Sequence, residues 1–448
     1  MERETLFPEV RALLDARQTD GIVALSERVS PAAWADIIPS LDTAEVATLV
    51  QALPDDVLPE VLADLAPVEA AVILRNLTSA EAASILGAMA PDDATDVVDE
   101  LPDAEVEPIL VAMRPDDAAD IRELLAYPPD SAGGLMTPAF VAISPDLRAD
   151  QAIAALRRVA AEAETLYYVY VVDPAEHLQG VLSLHSLVLA SSQTPIAALM
   201  APDTVRVRAD DSAVDAARLL RDRNLLAVPV VDEENHLLGI ITADDAIDVL
   251  EDELADDMLR MAGTDAEEMD RRSPAQIARL RLPWLIGTMG IELGAGLVIS
   301  HFDDVLTKVI LLASFMPVIS AVSGNVGLQS AAIVVRGLDT GHVSLSRWGA
   351  QVRKELETAL IMALVCGVLL GAVGALWAQH LPFGVVIGIA LGCSMMTAGF
   401  MGVVAPMLSK RFGFDPATTA GPFETAFQDV IGFAVFLWLA SLLLHWLT

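Results

Sequence analysis

Acidic side chains are concentrated in one short segment of the chain. Eight of the fourteen residues from 244 to 257 are Asp or Glu, and none is Lys or Arg. Like charges at helical spacing repel each other, and carboxylates are hard ligands that suit Mg²⁺ or Ca²⁺ better than soft metals. The segment therefore predicts a divalent-cation site. The competing explanation, a generally acidic surface, accounts less well for charge concentrated in one segment.

Asp429 lies inside an apolar stretch near the end of the sequence. Ionisable residues at membrane depth are costly and commonly mark ion pathways. On a helix, Gly421, Thr425, Gln428 and Asp429 fall in one stripe of small and polar residues. We interpret this stripe as a pore wall. The alternative is a buried carboxyl that is neutral or paired.

Three other polar residues lie in apolar stretches. Glu424 is either an end residue that extends to the aqueous interface or a functional group, and Glu292 stays unassigned. Asn325 follows Pro317 in a stretch rich in glycine and polar side chains, which predicts both a broken helix and close helix packing. We place Asn325 near the ion pathway.

Charge is distributed unequally along the chain. The 63 acids and 27 basic residues give a net charge of −36. Residues 276–448 contain nine of each, so the whole excess lies in residues 1–275. A surface this negative excludes nucleic acid as a partner, because binding requires neutralisation of phosphates by Lys and Arg.

Five apolar stretches after residue 275 are long enough to cross a lipid bilayer. They are 282–300, 305–335, 358–378, 382–408 and 422–447. Basic residues orient such spans, since they are enriched in cytosolic loops. Those on one side are Arg271, Arg272, Arg279, Arg281, Arg336, Arg347, Arg353, Lys354, Lys410 and Arg411. The opposite loops offer only Lys308, so we predict an inner-membrane protein with cytosolic N-terminal domains and an external C-terminus.

Residues 41–122 repeat with a period of twelve. An apolar residue opens each unit, an acid follows four places later in six of seven units, and an aliphatic residue stands at the eighth place after it. Pro, Asp, Thr or Ser at the second place after the opening residue is a helix-start signal. Each unit is therefore predicted to be one short helix, and such helices stack into an α-solenoid.

Two similar stretches follow the solenoid. Each begins at Met-x-Pro, at Met136 and Met200, and continues as strand, amphipathic helix, two strands and helix. This pattern resembles a tandem pair of CBS domains, which often bind adenosine nucleotides. The resemblance implies a nucleotide contact at Thr242 and Asp245, a Ser/Thr-x-x-Asp match in the second copy. Ser186 replaces the acid in the first copy, and whether ATP binds is left open.

The order of all these parts resembles the MgtE family of Mg²⁺ channels. The motifs are SAGGLMTP, RLRLPW, SGNVGLQS, VVRGLDTG and KRFGFDPATTAGPF with QDVIGF. The resemblance implies a homodimer in the lipid bilayer whose pore lies on the two-fold axis. It also implies that the acidic connecting helix closes the pore when cytosolic Mg²⁺ is plentiful.

The resemblance assigns roles to individual residues. Asp429 is the pore carboxylate for hydrated Mg²⁺, and Gly421 and Thr425 line the pore. The regulatory Mg²⁺ set is Asp92, Asp96, Asp245, Asp248, Glu253, Asp256, Asp257 and Asp415. The sequence departs from the family pattern at four positions. Gly421 stands where some relatives have Asn, and Leu328 makes the SGNVGLQS motif less polar than usual. Asn224 and Val214, in the second CBS copy, replace acids found in some members.

The expected architecture is a multidomain chain with five parts. They are a helical solenoid domain (1–130), a first CBS domain (131–198), a second CBS domain (199–252), an acidic connecting helix (253–275) and an α-helical membrane domain of five spans (276–448).

The predicted function is Mg²⁺ influx through a channel that cytosolic Mg²⁺ closes. The main alternative is a proton-coupled transporter of Mg²⁺, Co²⁺ or Mn²⁺ in which Glu292 and Asp429 carry protons. An enzyme is disfavoured, because the sequence has neither His-Glu-x-x-His nor a rhomboid-type serine motif. A sensor without transport leaves Asp429 unexplained.

Overall fold

The computed structural model describes residues 3–16, 18–159, 165–264, 274–345 and 348–447. The chain divides into two compact units, Met1–Asp252 and Glu253–Thr448, which are described separately. The finer division into five domains stays a prediction.

Ten α-helices open the first unit in the part of the chain that the structure describes. They are α1 (Arg3–Asp15), α2 (Thr19–Ser26), α3 (Pro31–Ala35), α4 (Thr43–Ala52), α5 (Leu58–Ala63), α6 (Pro67–Leu74), α7 (Ser79–Leu86), α8 (Pro91–Asp99), α9 (Asp103–Ala112) and α10 (Pro115–Leu124). Helices α4 to α10 match the seven repeat units one for one, which confirms the predicted solenoid. One continuous apolar core joins them, because helices this short are not stable alone.

The first residues of the repeat helices explain where these helices begin. Asp42 accepts hydrogen bonds from the N–H groups of Ala44 and Glu45, and the Glu45 carboxylate accepts one from the Asp42 N–H at 2.8 Å. This capping box recurs at Thr78 and Glu81. Helices α6, α8 and α10 instead begin with proline, whose fixed φ suits the first helical position.

Two copies of an α/β unit follow. Their elements are β1 (Ala142–Ile143), α11 (Ala149–Val159), β2 (Tyr168–Val172), β3 (Leu178–Ser183) and α12 (Leu184–Leu189), then β4 (Val207–Arg208), α13 (Ala213–Arg223), β5 (Ala227–Val231) and β6 (Leu237–Thr242). In each three-stranded sheet the first pair of strands is parallel and the second pair antiparallel. Both antiparallel pairs have an irregularity at the same place, Val171/Val172 and Val230/Val231. The matching topology confirms the predicted tandem α/β pair.

The acidic segment lies on one helix, α14 (Ala243–Ala262). This helix begins directly after β6, ten residues before the predicted start of the connecting helix. It ends at Gly263, whose φ of +82° suits the left-handed C-terminal position that favours glycine. The N–H groups of Gly263 and Thr264 donate to the carbonyls of Arg260 and Leu259. Of the predicted helix 253–275, residues 265–273 lie outside the described residues.

Eight helices follow in the described part of the second unit. They are α15 (Pro274–His301), α16 (Asp303–Lys308), α17 (Leu311–Asp339), α18 (Trp348–Ala378), α19 (Leu381–Arg411), α20 (Pro416–Thr419), α21 (Pro422–Leu442) and α22 (Leu444–Leu447). Five of them are long and apolar enough to cross a membrane, which confirms the five predicted spans. Arg271, Arg272 and Arg347, used to orient the spans, lie outside the described residues.

The second span was expected to break in the stretch that contains Pro317 and Asn325, but the structure places the break elsewhere. Its break falls at Val309, between α16 and α17, whereas α17 runs unbroken through Pro317 and Asn325. The glycines of α17 serve close packing instead. A Cβ atom added at Gly402 of α19 would lie 2.3 Å from the carbonyl oxygen of Gly327, so these two helices approach each other backbone to backbone.

Candidate ion-pathway and regulatory sites

Asp429 lies two turns into α21, where it is half-buried. The Ser320 hydroxyl of α17 donates a hydrogen bond to Asp429 Oδ1 at 2.5 Å. The carboxyl of Glu292 on α15 lies near enough to the Asp429 carboxyl for the two groups to interact electrostatically. Three helices therefore contribute to one carboxylate-centred site at membrane depth. Glu292, whose role the sequence analysis left unassigned, lies at this site.

A cavity of about 380 Å³ adjoins this site. Its lining is Met261, Thr288, Glu292, Leu328, Gly421, Thr425 and Ala426. Glu292 and Thr425 are exposed on the surface of the protomer. A carboxyl at this depth is very costly against hydrocarbon, so this face suits water or a second subunit better than lipid.

Asn325 does not join the Asp429 site within the protomer. It lines a separate groove of about 380 Å³ with Ile361, Met362 and Val365 of α18. The helical phase explains the correction: Ser320 and Gly324 face α21, and Asn325, one residue further, is rotated by about 100° from Gly324. The sequence alone did not fix this phase.

Glu424 is also placed differently from the interpretation as an end residue that extends to water. Its side chain is only 2% exposed. It is packed so close to α17 that a Cβ atom at Gly327 would lie 2.1 Å from Glu424 Oε1. The residue therefore lies inside the protomer.

A second site gathers carboxylates in the first unit. Asp92 and Asp96 of α8 act electrostatically on Asp245 of α14, so three predicted regulatory residues are brought together. Asp248, one turn further along α14, is exposed, and burial followed by Glu251 and Asp252 raises its pKa. These four carboxylates form no ion pair with Lys or Arg among the described residues.

The electrostatics of this cluster disfavour several negative charges at once. Burial first, and then Asp92 and Asp245, raises the pKa of Asp93 to about 8. The same causes raise the pKa of Asp96 to about 7, although part of its side chain is exposed. Burial raises the pKa of Asp245 to about 6 against the hydrogen bond from Thr242. A bound cation would remove this penalty.

Asp92 provides the clearest test of whether the cluster fits a cation. It is 8% exposed, and burial raises its pKa. Its Oδ1 atom is buried with no hydrogen-bond partner among the described residues. An acceptor oxygen without a donor, beside other carboxylates, fits Mg²⁺, which binds hard oxygen ligands.

Two members of this cluster were missed by sequence reasoning. Asp93 is the acid at the fourth place of its repeat unit and was not among the predicted regulatory residues. Asp64 ends α5 and acts electrostatically on both Asp93 and Asp248. Three acids stand within residues 92–96, but 103–107 and 116–120 contain as many, so acid density alone does not single out this repeat unit.

The remaining predicted regulatory residues form a different group in the second unit. Arg260 of α14 donates to Asp256 at 2.7 Å and to Asp415 at 3.2 Å. Glu253 also acts on Arg260 electrostatically, and Asp257 lies on the same helix. The predicted ion contact at Asp415 is therefore made here by a guanidinium. Asp415 also caps α20 by accepting from the Ala417 N–H at 2.8 Å.

The last turn of α14 packs beside the candidate pathway. Met261 packs against a small apolar cluster of Ala331, Val335, Ala417 and Ala420. A Cβ atom at Gly421 would lie 1.9 Å from the Met261 carbonyl oxygen. Glycine at 421 therefore permits a close approach that a larger side chain would block in this arrangement.

Thr242 and Asp245, the predicted nucleotide contacts, have a local structural role. The buried Thr242 hydroxyl donates to the Asp245 carboxylate at the start of α14. Ser183 and Ser186 make the equivalent contact at the start of α12. A cavity of about 630 Å³ instead lies beside the first copy, lined by Leu166, Tyr167, Tyr168, Ser183, Leu184, His185, Val188 and Leu226.

Comparison with known families agrees with this geometry. A model described as a divalent cation transporter matches residues 316–439. The model of the MgtE intracellular N domain matches residues 29–130, and the CBS domain model matches residues 196–252. Together with the five spans, these matches define the class as a multi-pass divalent cation transporter with an intracellular N domain and a CBS domain.

Two individual relatives are named as magnesium transporters. The chain is 38% identical over 326 residues to the magnesium transporter MgtE of Enterococcus faecalis, covering 73% of this chain and 72% of that one. It is 36% identical over 328 residues to the magnesium transporter MgtE of Thermus thermophilus, covering 72% of each. The chain belongs to the MgtE family of magnesium transporters.

A solved structure covers the first unit. It is the cytosolic domain of the Mg²⁺ channel MgtE in complex with ATP, which is similar with a TM-score of 0.52 and 34% identity. The match covers 54% of this chain and 98% of that one.

Proposed function

We propose that the chain is a Mg²⁺ channel of the inner membrane whose pore forms between two copies. The observation that carries this proposal is the Asp429 site, which three helices build at membrane depth beside a cavity on an exposed protomer face. Mg²⁺ gives up its waters reluctantly. Two Asp429 carboxylates, one from each subunit, would attract a hydrated ion through its waters, as a ring of acids does in cation channels.

Closure by cytosolic Mg²⁺ is the second part of the proposal. The Asp92, Asp96 and Asp245 carboxylates repel each other when they are ionised, and a bound ion would favour their packed arrangement. A ligand shifts a conformational equilibrium only as far as it binds one state better. Mg²⁺ in this cluster would therefore favour the closed state. The proposal places the N-terminal domains in the cytosol and the C-terminus outside.

The proposal is tested by Mg²⁺ uptake into liposomes that contain the full chain, with Asp429→Asn beside it. Asp304→Asn is the matched control, because Asp304 is an exposed acid at the start of α16. We expect uptake to be lost with Asp429→Asn and kept with Asp304→Asn. Equal uptake by all three proteins would contradict the pore assignment.

A proton-coupled transporter is the second candidate, and the proximity of Glu292 to Asp429 favours it. Neighbouring acids at membrane depth are a common element of proton relays in transporters. A channel needs only the gradient of Mg²⁺ itself, whereas coupled transport responds to an imposed proton gradient. Uptake measured with and without a proton gradient, at fixed Mg²⁺ gradient, separates the two.

An adenine nucleotide is the proposed second ligand of the first unit. The cavity beside Ser183 is better suited than the Thr242–Asp245 pair, because it offers the exposed Tyr167 ring for stacking. Thr242 is buried, and the acids around Asp245 would repel phosphates. We expect Tyr167→Ala to weaken ATP binding and Thr242→Val to leave it nearly unchanged, as measured by calorimetry.

A further inference from the structure

Glu424 occupies an unusual environment one turn into α21. Both carboxyl oxygens are buried and have no hydrogen-bond partner among the described residues. The missing side chain of Gly327 makes room for Oε1. Glu424 is thus a nearly inaccessible acid inside the protomer, away from the exposed face where Glu292 and Thr425 lie.

Gln428 lies one turn further on the same face of α21 and is fully buried. Its Nε2 atom donates to Ser323 Oγ at 2.6 Å and to Ser394 Oγ at 3.2 Å. Ser394 Oγ donates to Ser323 Oγ, and Ser323 Oγ donates to the Ile319 carbonyl. Because both serine hydroxyls already donate their protons to other acceptors, they can only accept from Gln428. The Gln428 amide must therefore present its donor atom Nε2 to the serines. Its Oε1 atom therefore points away from them, buried and without a donor among the described residues.

The two residues leave three acceptor oxygens without a donor, which calls for a cation. An ionised, unpaired carboxylate buried in this way costs several kcal/mol by general experience. A hydrated divalent ion needs space, whereas Glu424 Oε1 is packed directly against the α17 backbone. A proton needs no space, and residues four apart on a helix are neighbours.

We propose that Glu424 is a proton-binding site within each protomer, whose carboxylic O–H donates to Gln428 Oε1. One proton is taken from water and nothing else is transferred. The site is distinct from the Asp429 pathway and goes beyond the proposed function.

The groups around Glu424 support the neutral form. Asp429, on the same helix, is the charged group that acts on it. The α17 face presents Gly327 and Ser330, and the Ser330 hydroxyl donates to Glu355 of α18 at 3.1 Å. On the α19 side, Gly402 packs against Gly327 and Ser330. None of these contacts supplies a positive charge that would pair with an ionised Glu424.

Infrared spectroscopy of the full chain in lipid tests the site directly. The C=O stretching band of protonated carboxyls is recorded at neutral pH for the unsubstituted protein and for Glu424→Gln. The matched control is Glu357→Gln, since Glu357 is exposed and pairs with Arg353 at 2.8 Å. We expect Glu424→Gln to remove intensity equal to one carboxyl per protomer and Glu357→Gln to remove none. Identical bands in all three proteins would overturn the proposal.

A second variant tests the hydrogen bond and does not depend on how Glu424→Gln folds. Gln428→Leu removes the acceptor but keeps the acid, so the Glu424 band should move to the frequency of a free carboxyl. An unmoved band would exclude the Gln428 contact. Both readouts are independent of transport, so a failure of the proposed channel function would be distinguishable from a failure of this site.

Discussion

The two units of the chain use acidic residues in opposite ways. In the first unit, Asp92, Asp93, Asp96 and Asp245 are gathered without an ion pair to Lys or Arg among the described residues, and burial and mutual repulsion raise their pKa values. In the second unit, acids of the candidate pathway and of the end of α14 have hydroxyl or guanidinium partners, as Asp429 has Ser320 and as Asp256 and Asp415 share Arg260.

The difference indicates two tasks for one kind of side chain. A crowded cluster binds a cation strongly, because the ion relieves repulsion, and this suits sensing. A single carboxylate held by a hydroxyl binds an ion weakly enough to release it, which conduction requires. Sensing and conduction both use carboxylates. The two tasks differ in how many carboxylates lie together and in which groups those carboxylates contact.

The largest expected effect is on the single pathway acid. Replacing Asp429 by Ala should lower Mg²⁺ flux by about 100-fold, on the order of the 2–3 kcal/mol of an interaction with a charged group. Ser320→Ala should lower it less, because the carboxylate remains. Flux into liposomes measures both, and equal losses in the two variants would contradict the ranking.

Neutralising the crowded cluster should weaken cation binding strongly while sparing flux. The double variant Asp92→Asn, Asp245→Asn should require at least about tenfold more Mg²⁺ to raise the unfolding temperature of the full chain, since two ligand charges are lost. The exposed Asp203 provides the control Asp203→Asn. An unchanged Mg²⁺ dependence in the double variant would place the ion elsewhere.

The cluster should also respond to pH in a defined window. The raised pKa values of Asp245, Asp96 and Asp93, about 6, 7 and 8, mean that the folded chain holds these protons more tightly than the unfolded chain. Stability without Mg²⁺ therefore falls as pH rises through this window.

Mg²⁺ must displace the same protons, so its affinity should rise over that range, by up to about tenfold per pH unit for each proton displaced. Calorimetry at pH 6 and pH 8 in two buffers measures the protons released. Affinity that falls with increasing pH would contradict the assignment.

A smaller effect is expected where α14 meets the pathway. Gly421→Ala would force the Met261 carbonyl away, at a cost of about 1–3 kcal/mol for overpacking. The variant should favour the released position of α14 and thus need several-fold more Mg²⁺ for inhibition. Gly349→Ala, at the start of α18 where nothing lies within 4 Å of the new Cβ, tests for a general effect of an added methyl group. Equal shifts in both would remove the case for specific docking.

Much of the fold could be predicted because its signals are local. The period of twelve predicts seven helices, since caps such as Asp42 and Thr78 recur in register with the apolar residues. The five spans follow from hydrophobicity and length. Helix α14 carries the acids from Asp244 to Asp257, as the helical spacing of these acids indicates.

The sites were less predictable, because they depend on helix phase and on contacts distant in sequence. Asn325 and Ser320 are five residues apart on one helix, yet only Ser320 reaches Asp429. The partner of Asp415 is Arg260, 155 residues away. By its position in the sequence, Glu424 is expected near the end of its span. Its burial depends on the space left by the missing side chain of Gly327 on α17, which lies far away in the sequence.

The most direct test of separate sensing and conducting acids is patch-clamp recording from the full chain in lipid. Cytosolic-side Mg²⁺ is stepped from near zero to about 10 mM for the unsubstituted protein and for Asp92→Asn, Asp245→Asn. We predict current in both proteins at low Mg²⁺, with closure at high Mg²⁺ only in the unsubstituted protein. A double variant that closes at the same Mg²⁺ concentration, or conducts no current at low Mg²⁺, would contradict the division of tasks.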